Sequence, residues 1–208
     1  NSSNLNLFLD LGKMPLAGGF LNGSTDSIEN EKTYPLQIHV CQKCSLVQIL
    51  EIIDPEILFQ DYSFSSSTVK PLIKHFEEYA IWLKTKYNPK LVLEFGCNDG
   101  ILLKQFEKLG INSCGIDVSE NITEIARKEG LDVFTGYFDE ASAEEIKKRV
   151  GLVDLVTGSN AFAHNDNPEI LIKAASHILK DDGHLCLEVM YAGDLIEMLQ
   201  WDTLYHEH

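Results

Sequence analysis

From residue 91 onward the chain alternates short apolar runs with amphipathic stretches, and this alternation restricts the fold more than any other feature. The runs are "LVLEF" (91–95), "SCGID" (113–117), "LDVF" (131–134), "VDLVTG" (153–158) and "HLCLEV" (184–189). Between them lie "GILLKQFEKLG", "ENITEIARKEG" with Ser119 placed to cap it, and "AEEIKKRV" opened by a capping box from Ser142 to Glu145. A further helix starts at Pro168, which suits a first helical turn. Strands that are apolar on both faces and separated by helices predict an α/β fold, a doubly wound and mostly parallel sheet covered on both sides.

The first 90 residues read differently. Residues 1–60 hold turn-rich stretches ("GKMPLAGG", "NGSTDS") and short alternating segments around "IHVCQKCSLVQIL", which predicts a small module with a hairpin knuckle at the cysteines. Residues 61–90 carry Leu72, Ile73, Phe76, Ala80 and Leu83 at helical spacing, after Thr68 as a cap, and predict a linking helix. The third division, 91–208, is the sheet domain.

In doubly wound sheets ligands bind beyond the carboxyl ends of the strands. The turn after the first strand of this sheet is "LEFGCNDGILL", with spacing Gly96-x-Asn98-x-Gly100. A dinucleotide fingerprint would place its third glycine on Ile101, so the pattern argues against NAD. Glu94, two residues before Gly96, suits a ligand with an amino group rather than a pyrophosphate. Asp117 closes the second strand, where a carboxylate can accept both hydroxyls of a ribose. Any one of these features alone reads as a polar strand end or a tight turn; their order together favours a cofactor site. It resembles that of S-adenosylmethionine-dependent methyltransferases, in which the first acid and its glycines hold the methionine end and the second acid holds the ribose. "GYFDE" lies where such enzymes enclose adenine, which makes Tyr137 and Phe138 candidates for stacking or packing on it.

Cys41-x-x-Cys44 has the spacing of half a tetrahedral zinc site. The other three cysteines, Cys97, Cys114 and Cys186, belong to the sheet domain. A redox dithiol or plain buried thiols are the alternatives, but a redox pair normally opens a helix in a βαβ unit. Zinc is the favoured reading, with the partner ligands expected upstream of Asn1.

Composition excludes several classes. The formal net charge of −15 would repel a phosphate backbone, so no nucleic-acid partner is expected. No run of 18 apolar residues exists, so no membrane partner is expected either. Five cysteines, an odd number, suit a reducing cytoplasm better than a disulfide framework.

The segments "LDLGKMPLAGGFL", "CQKCSLVQIL", "DYSFSSST", "LEFGCNDGILL", "GIDVSENI", "NAFAHNDN" and "YHEH" occur in one order that resembles the sugar C-methyltransferases. The resemblance implies a class I, Rossmann-like methyltransferase sheet preceded by a zinc-binding module, with a further carboxyl-terminal part missing. It implies methylation of a nucleotide-linked keto-deoxysugar at carbon 3, and a truncated chain that is inactive alone. It identifies S-adenosylmethionine and a structural zinc on Cys41 and Cys44 as cofactors. Where the serine-rich stretch of the family often carries several tyrosines, this chain has Tyr62 but Phe64, so a tyrosine–sugar hydrogen bond is expected only at Tyr62.

Forming a carbon–carbon bond with a sulfonium methyl donor needs a carbon nucleophile, an enolate made beside a ketone, and so a base and a donor for the enolate oxygen. By resemblance His208 is the base, Glu207 orients it or binds a hydroxyl, Tyr205 bonds the substrate and His164 stabilises the enolate oxygen or holds the sugar. Asn160, after the fourth strand, is expected to face both donor and substrate. His206 and His208 are two apart, a poor spacing for helical zinc ligands. His39, His75, His177 and His184 read as solvated helix or strand-edge residues. Two other functions remain open: a methyltransferase for another small metabolite, and a zinc-stabilised binding module that has lost catalysis.

Overall fold

The structure, a computed structural model, describes residues 2–18, 21, 28–59, 62–200 and 203–206. By contact it divides into two units: Asn1–Leu58 together with Met190–His208, and Phe59–Val189. This differs from a division at residues 60 and 90 with a sheet domain running to 208. The linking helix belongs to the sheet unit, because its apolar side packs there, and residues from Met190 onward group with the amino-terminal residues.

In the first unit three antiparallel strands, β1 (Leu5–Pro15), β2 (Thr33–Cys41) and β3 (Val47–Ile49), lie in the order β1-β2-β3. Leu36 and Ile38, two residues apart on β2, point to one face and are buried. The register of β1 slips between Asp10 and Lys13, where Gly12 has a φ of +75° and its N–H donates to Asp10 Oδ1 at 2.8 Å. The hairpin at the cysteines forms as expected: Ser45 N–H donates to Cys41 O at 2.8 Å and Cys41 N–H to Leu46 O at 2.9 Å. After β3 comes a short helix, α1 (Pro55–Phe59), started by Asp54, whose Oδ1 accepts the Glu56 N–H at 3.0 Å. His206, buried in this same unit, sets Nε2 3.2 Å from the carbonyl oxygens of both Tyr34 and Pro35, and its ring meets Tyr34 edge-on at 6.0 Å. That contact ties the residues after 190 to β2.

The second unit is the doubly wound sheet. Helix α2 (Lys70–Tyr87) precedes strand β4 (Leu91–Phe95), and then α3 (Ile101–Lys108), β5 (Asn112–Asp117), α4 (Glu120–Lys128), β6 (Val133–Thr135), α5 (Glu140–Val150), β7 (Val153–Ser159), α6 (Pro168–Ile178) and β8 (Leu179–Glu188) follow. All four strand pairs are parallel, in the order β6-β5-β4-β7-β8. The order reverses at β4, so the carboxyl end of β4 is the switch point where such sheets bind ligands. A last short helix, α7 (Ala192–Glu197), lies past the sheet, in the first unit.

Strand alternation sends the two sides of each strand to different helices. Leu93, Phe95, Val156 and Ile116 pack with Ala143 and Ile146 of α5 and with Leu171, Ala174 and Ile178 of α6. Val92 and Leu155 pack with Phe76, Ala80 and Leu83 of α2 and with Leu102 and Phe106 of α3. Within the expected stripe of α2, Ile73 instead faces outward. Two helix starts also differ from expectation. The capping box of α5 is Asp139 with Ser142, three residues earlier than Ser142 with Glu145, because Asp139 Oδ1 accepts the Ser142 N–H at 2.8 Å. Helix α2 is capped by Val69 without a side-chain bond, while Thr68 ends a 3₁₀ turn, its hydroxyl on Ser65 O at 2.7 Å.

Candidate active site

The turn from β4 to α3 is held by backbone geometry that only certain residues adopt. Gly96 (φ +64°), Asn98 (+49°) and Gly100 (+77°) all lie in the left-handed region, which glycine enters freely and asparagine more easily than most. Space adds a second constraint: a Cβ on Gly96 would lie 2.4 Å from the Ala161 Cβ, and one on Gly100 would lie 2.2 Å from Leu131 Cδ1. The turn is tied to the neighbouring strand, with Gly96 N–H donating to Ile116 O at 2.8 Å and Asn98 N–H to Asp117 Oδ2 at 2.9 Å.

Asp117 is held on both sides, since Oδ1 accepts the Ser119 N–H at 3.0 Å. Burial raises its pKa above the usual carboxylate range, and the N–H groups of Ser119 and Asn98 oppose that rise. Each carboxylate oxygen retains a second lone pair, enough for a pair of ribose hydroxyls. The Ser119 hydroxyl does not cap α4; it donates to Phe59 O at 2.6 Å.

Glu94 is only 2% exposed, and its Oε2 has no hydrogen-bond partner among the described residues. Burial first, then the negative charges of Asp117, Asp99 and Glu188, push its pKa well above the carboxylate range. A buried acid with an unmatched oxygen among three other acids is a place where a cationic ligand replaces repulsion with attraction. The residues present therefore fit a ligand with a ribose and a positively charged end.

The serine run before α2 closes on this turn. Asn98 Nδ2 donates to Phe64 O at 3.0 Å, and Ser66 N–H donates to Asn98 Oδ1 at 2.9 Å. Asp99, fully buried, accepts the Ser65 hydroxyl and the Ser67 N–H at 3.0 Å. Sequence reasoning missed Asp99 and the serines; a serine-rich run after a tyrosine gave a family resemblance but no sign of which turn it would bind.

The remaining site residues divide. Tyr137, 52% exposed, follows β6, but Phe138 is 6% exposed and stacks on Phe95 at 5.4 Å, which makes it a core residue rather than an adenine wall. Asn160 follows β7 with φ +53°, its N–H on Glu188 O at 2.8 Å. Phe59 brings Tyr62 and His164 together: its ring lies 6.0 Å from Tyr62 and 5.5 Å from His164. Tyr205 is half-buried in the first unit, and Glu207 and His208 lie outside the described residues. His75, read as a solvated helix residue, instead sets Nε2 2.8 Å from Glu188 Oε2 and stacks on Tyr79 at 6.2 Å. The Tyr79 hydroxyl lies 3.1 Å from Thr157 Oγ1, and burial holds its pKa above the ordinary phenol value.

In the first unit Cys41 is buried and Cys44 exposed, both as free thiols. The Lys43 and Cys44 N–H groups point at the Cys41 sulfur and lower its pKa, as a metal-binding knuckle requires. Among the described residues no group of three or more His, Cys, Asp and Glu converges to hold a metal. Among the described residues, too, no helix is long and apolar enough to cross a membrane.

Comparison with known proteins agrees with this geometry. The family described as "Methyltransferase domain" matches residues 72–208, and the one described as "Putative zinc binding domain" matches residues 1–59. The chain is 32% identical over 203 residues to C-methyltransferase NovU of Streptomyces niveus, covering 96% of this chain and 48% of that protein. It is 32% identical over 98 residues to a ubiquinone biosynthesis O-methyltransferase of Cupriavidus pinatubonensis, covering 46% of this chain and 39% of the relative. It thus spans about half the length, or less, of these curated relatives. The plantazolicin methyltransferase BpumL, solved with a triazolic desmethylPZN analog and SAH, superposes with a TM-score of 0.51 at 16% identity, over 65% of this chain and 54% of that one. The parallel five-stranded sheet is the class I, Rossmann-like methyltransferase fold. With its sheet, its glycine turn and two-thirds of its length matched, the chain belongs to the methyltransferase-domain family.

Proposed function

We propose that the protein is an S-adenosylmethionine-dependent C-methyltransferase acting on a nucleotide-linked keto-deoxysugar. The observation that carries the donor is Glu94, a buried carboxyl with an unmatched oxygen beside the Gly96–Gly100 turn, one strand from Asp117. The likeness to NovU, named a C-methyltransferase, supports carbon as the methyl acceptor. The net charge of −15 fits a small-molecule substrate better than a nucleic acid.

When bound, S-adenosylmethionine supplies an electrophilic methyl group. In this reading Asp117 accepts the ribose hydroxyls and Glu94 faces the amino-acid end. Tyr137 lies against the adenine, and the N–H groups of the turn fix the backbone around the donor. His208 removes the proton beside the sugar ketone, Glu207 orients it, and Tyr205 bonds the substrate. His164, brought beside Tyr62 by Phe59, donates to the enolate oxygen, and Tyr62 and Asn160 bond the sugar. Cys41 and Cys44 provide two thiolates to a structural zinc.

The test is transfer of labelled methyl from S-adenosylmethionine to a panel of nucleotide-linked keto-deoxysugars by the intact protein, with the product carbon assigned by NMR. Methyl on the carbon beside the ketone supports the proposal. Methyl on oxygen, or none on any sugar despite donor binding, overturns it.

A further inference from the structure

Strand register places the chemistry of the sheet's carboxyl edge in one row. Phe95 pairs with Ile116, so Gly96 and Asp117 stand level one residue further on; Glu94 pairs with Thr157, so Ser159 stands level with Gly96; and Ser159 pairs with Glu188. The row therefore runs Asp117, Gly96, Ser159, Glu188. At about 4.8 Å per strand, Glu188 lies about 10 Å from Gly96 and about 14 Å from Asp117. A donor whose ribose is on Asp117 and whose amino-acid end is at the glycine turn leaves the Glu188 end of the row to the methyl acceptor.

Glu188 is built to meet a ligand there. Glu94, Thr157 and Cys186 share a rung, and Glu188, two residues beyond Cys186, points to the same face, the one covered by α2. From α2, His75 Nε2 donates to Glu188 Oε2 at 2.8 Å, and the imidazole is held in turn by stacking on Tyr79. That leaves Glu188 Oε1 to accept further hydrogen bonds. The two side chains are 44% and 29% exposed, so unlike Glu94 and Asp99 they face accessible space. The main-chain oxygen of Glu188 also fixes Asn160 through its N–H, and the Oγ of Ser159, buried with no partner, lies beside it in the row.

We propose that Glu188, oriented by His75, is the carboxylate that receives hydroxyl groups of the methyl acceptor, so that this pair sets which polyhydroxylated substrate is taken. The inference rests on the donor site proposed above. A carboxylate fixed on one oxygen accepts from hydroxyls with its other, and a charge-assisted bond of this kind is worth roughly 10–100-fold in affinity. His75 is a positioning residue, acting through Glu188.

The experiment measures kcat and KM for the sugar nucleotide that wild-type protein methylates, alongside calorimetric affinity for S-adenosylhomocysteine. Glu188→Gln is expected to raise the acceptor KM by about tenfold or more while leaving S-adenosylhomocysteine affinity within about twofold. His75→Ala is expected to behave like Glu188→Gln. His75→Gln, which still carries a donor, is expected to recover most of the loss. Retained S-adenosylhomocysteine binding shows that each variant is folded. An unchanged acceptor KM in Glu188→Gln overturns the inference. So does a parallel rise in KM and in the S-adenosylhomocysteine dissociation constant, which would put Glu188 in the donor's site. Wild-type protein that binds no S-adenosylhomocysteine fails at the earlier step and overturns the donor reading itself.

Discussion

Replacing Glu94 by Gln should stabilise the empty protein and abolish donor binding. The carboxyl is buried, one oxygen lacks a partner, and Asp117, Asp99 and Glu188 add repulsion. Because its folded-state pKa is raised above the unfolded value, the folded protein holds the proton more tightly. Its stability is therefore fully present below the ordinary carboxylate range and falls as pH rises toward the folded value. Gln carries no charge to desolvate or to be repelled by the surrounding carboxylates. The gain is the relief of one unsatisfied buried acceptor, about 1–3 kcal/mol near neutral pH. For a protein of this size that is a rise in Tm of roughly 2–12 °C. Thermal unfolding followed by circular dichroism from about pH 5 to about pH 9, with and without S-adenosylhomocysteine, reads both effects. Wild type should lose stability toward high pH and regain it with ligand, while Glu94→Gln should be flatter with pH and gain nothing from ligand. A variant that melts lower than wild type at neutral pH, or is stabilised by S-adenosylhomocysteine as wild type is, refutes the reasoning.

Gly96→Ala must place a Cβ 2.4 Å from that of Ala161 at a φ of +64°, and should cost about 1–3 kcal/mol of stability, measured by urea unfolding. Phe138→Ala should cost about 3–5 kcal/mol through lost packing on Phe95, with a calorimetric S-adenosylhomocysteine affinity close to wild type. Tyr137→Ala should instead weaken that affinity by about tenfold, with a smaller change in unfolding free energy than Phe138→Ala gives. Mass spectrometry after brief treatment of native protein with iodoacetamide should find Cys97 and Cys114, both buried, unlabelled; the Cys114 thiol, pushed up to about 12 by burial, should resist even at mildly alkaline pH.

The sheet was legible in the sequence because five apolar runs at helical separations admit few other folds, and the glycine turn was legible because its spacing excluded one cofactor and its two acids pointed to another. What stayed hidden depends on distance in the chain. Glu188 lies 113 residues from His75, and Ser65 lies 34 from Asp99, so no local pattern announces either pair. Phe138 was misplaced because a strand end offers two adjacent aromatics to opposite sides, and only packing on Phe95 decides which is core. The capping box slipped because Asp139 and Ser142 satisfy the same rule three residues before Ser142 and Glu145. Nor does any local pattern announce that His206 reaches the Tyr34 and Pro35 carbonyls, 172 and 171 residues away.

The most direct test is a crystal structure of the protein with S-adenosylhomocysteine. The account predicts both ribose hydroxyls within about 3 Å of the Asp117 carboxylate and the amino-acid end beside Gly96 and Glu94. Ligand density that leaves Asp117 without a ribose contact, or that lies away from the carboxyl end of β4, contradicts it.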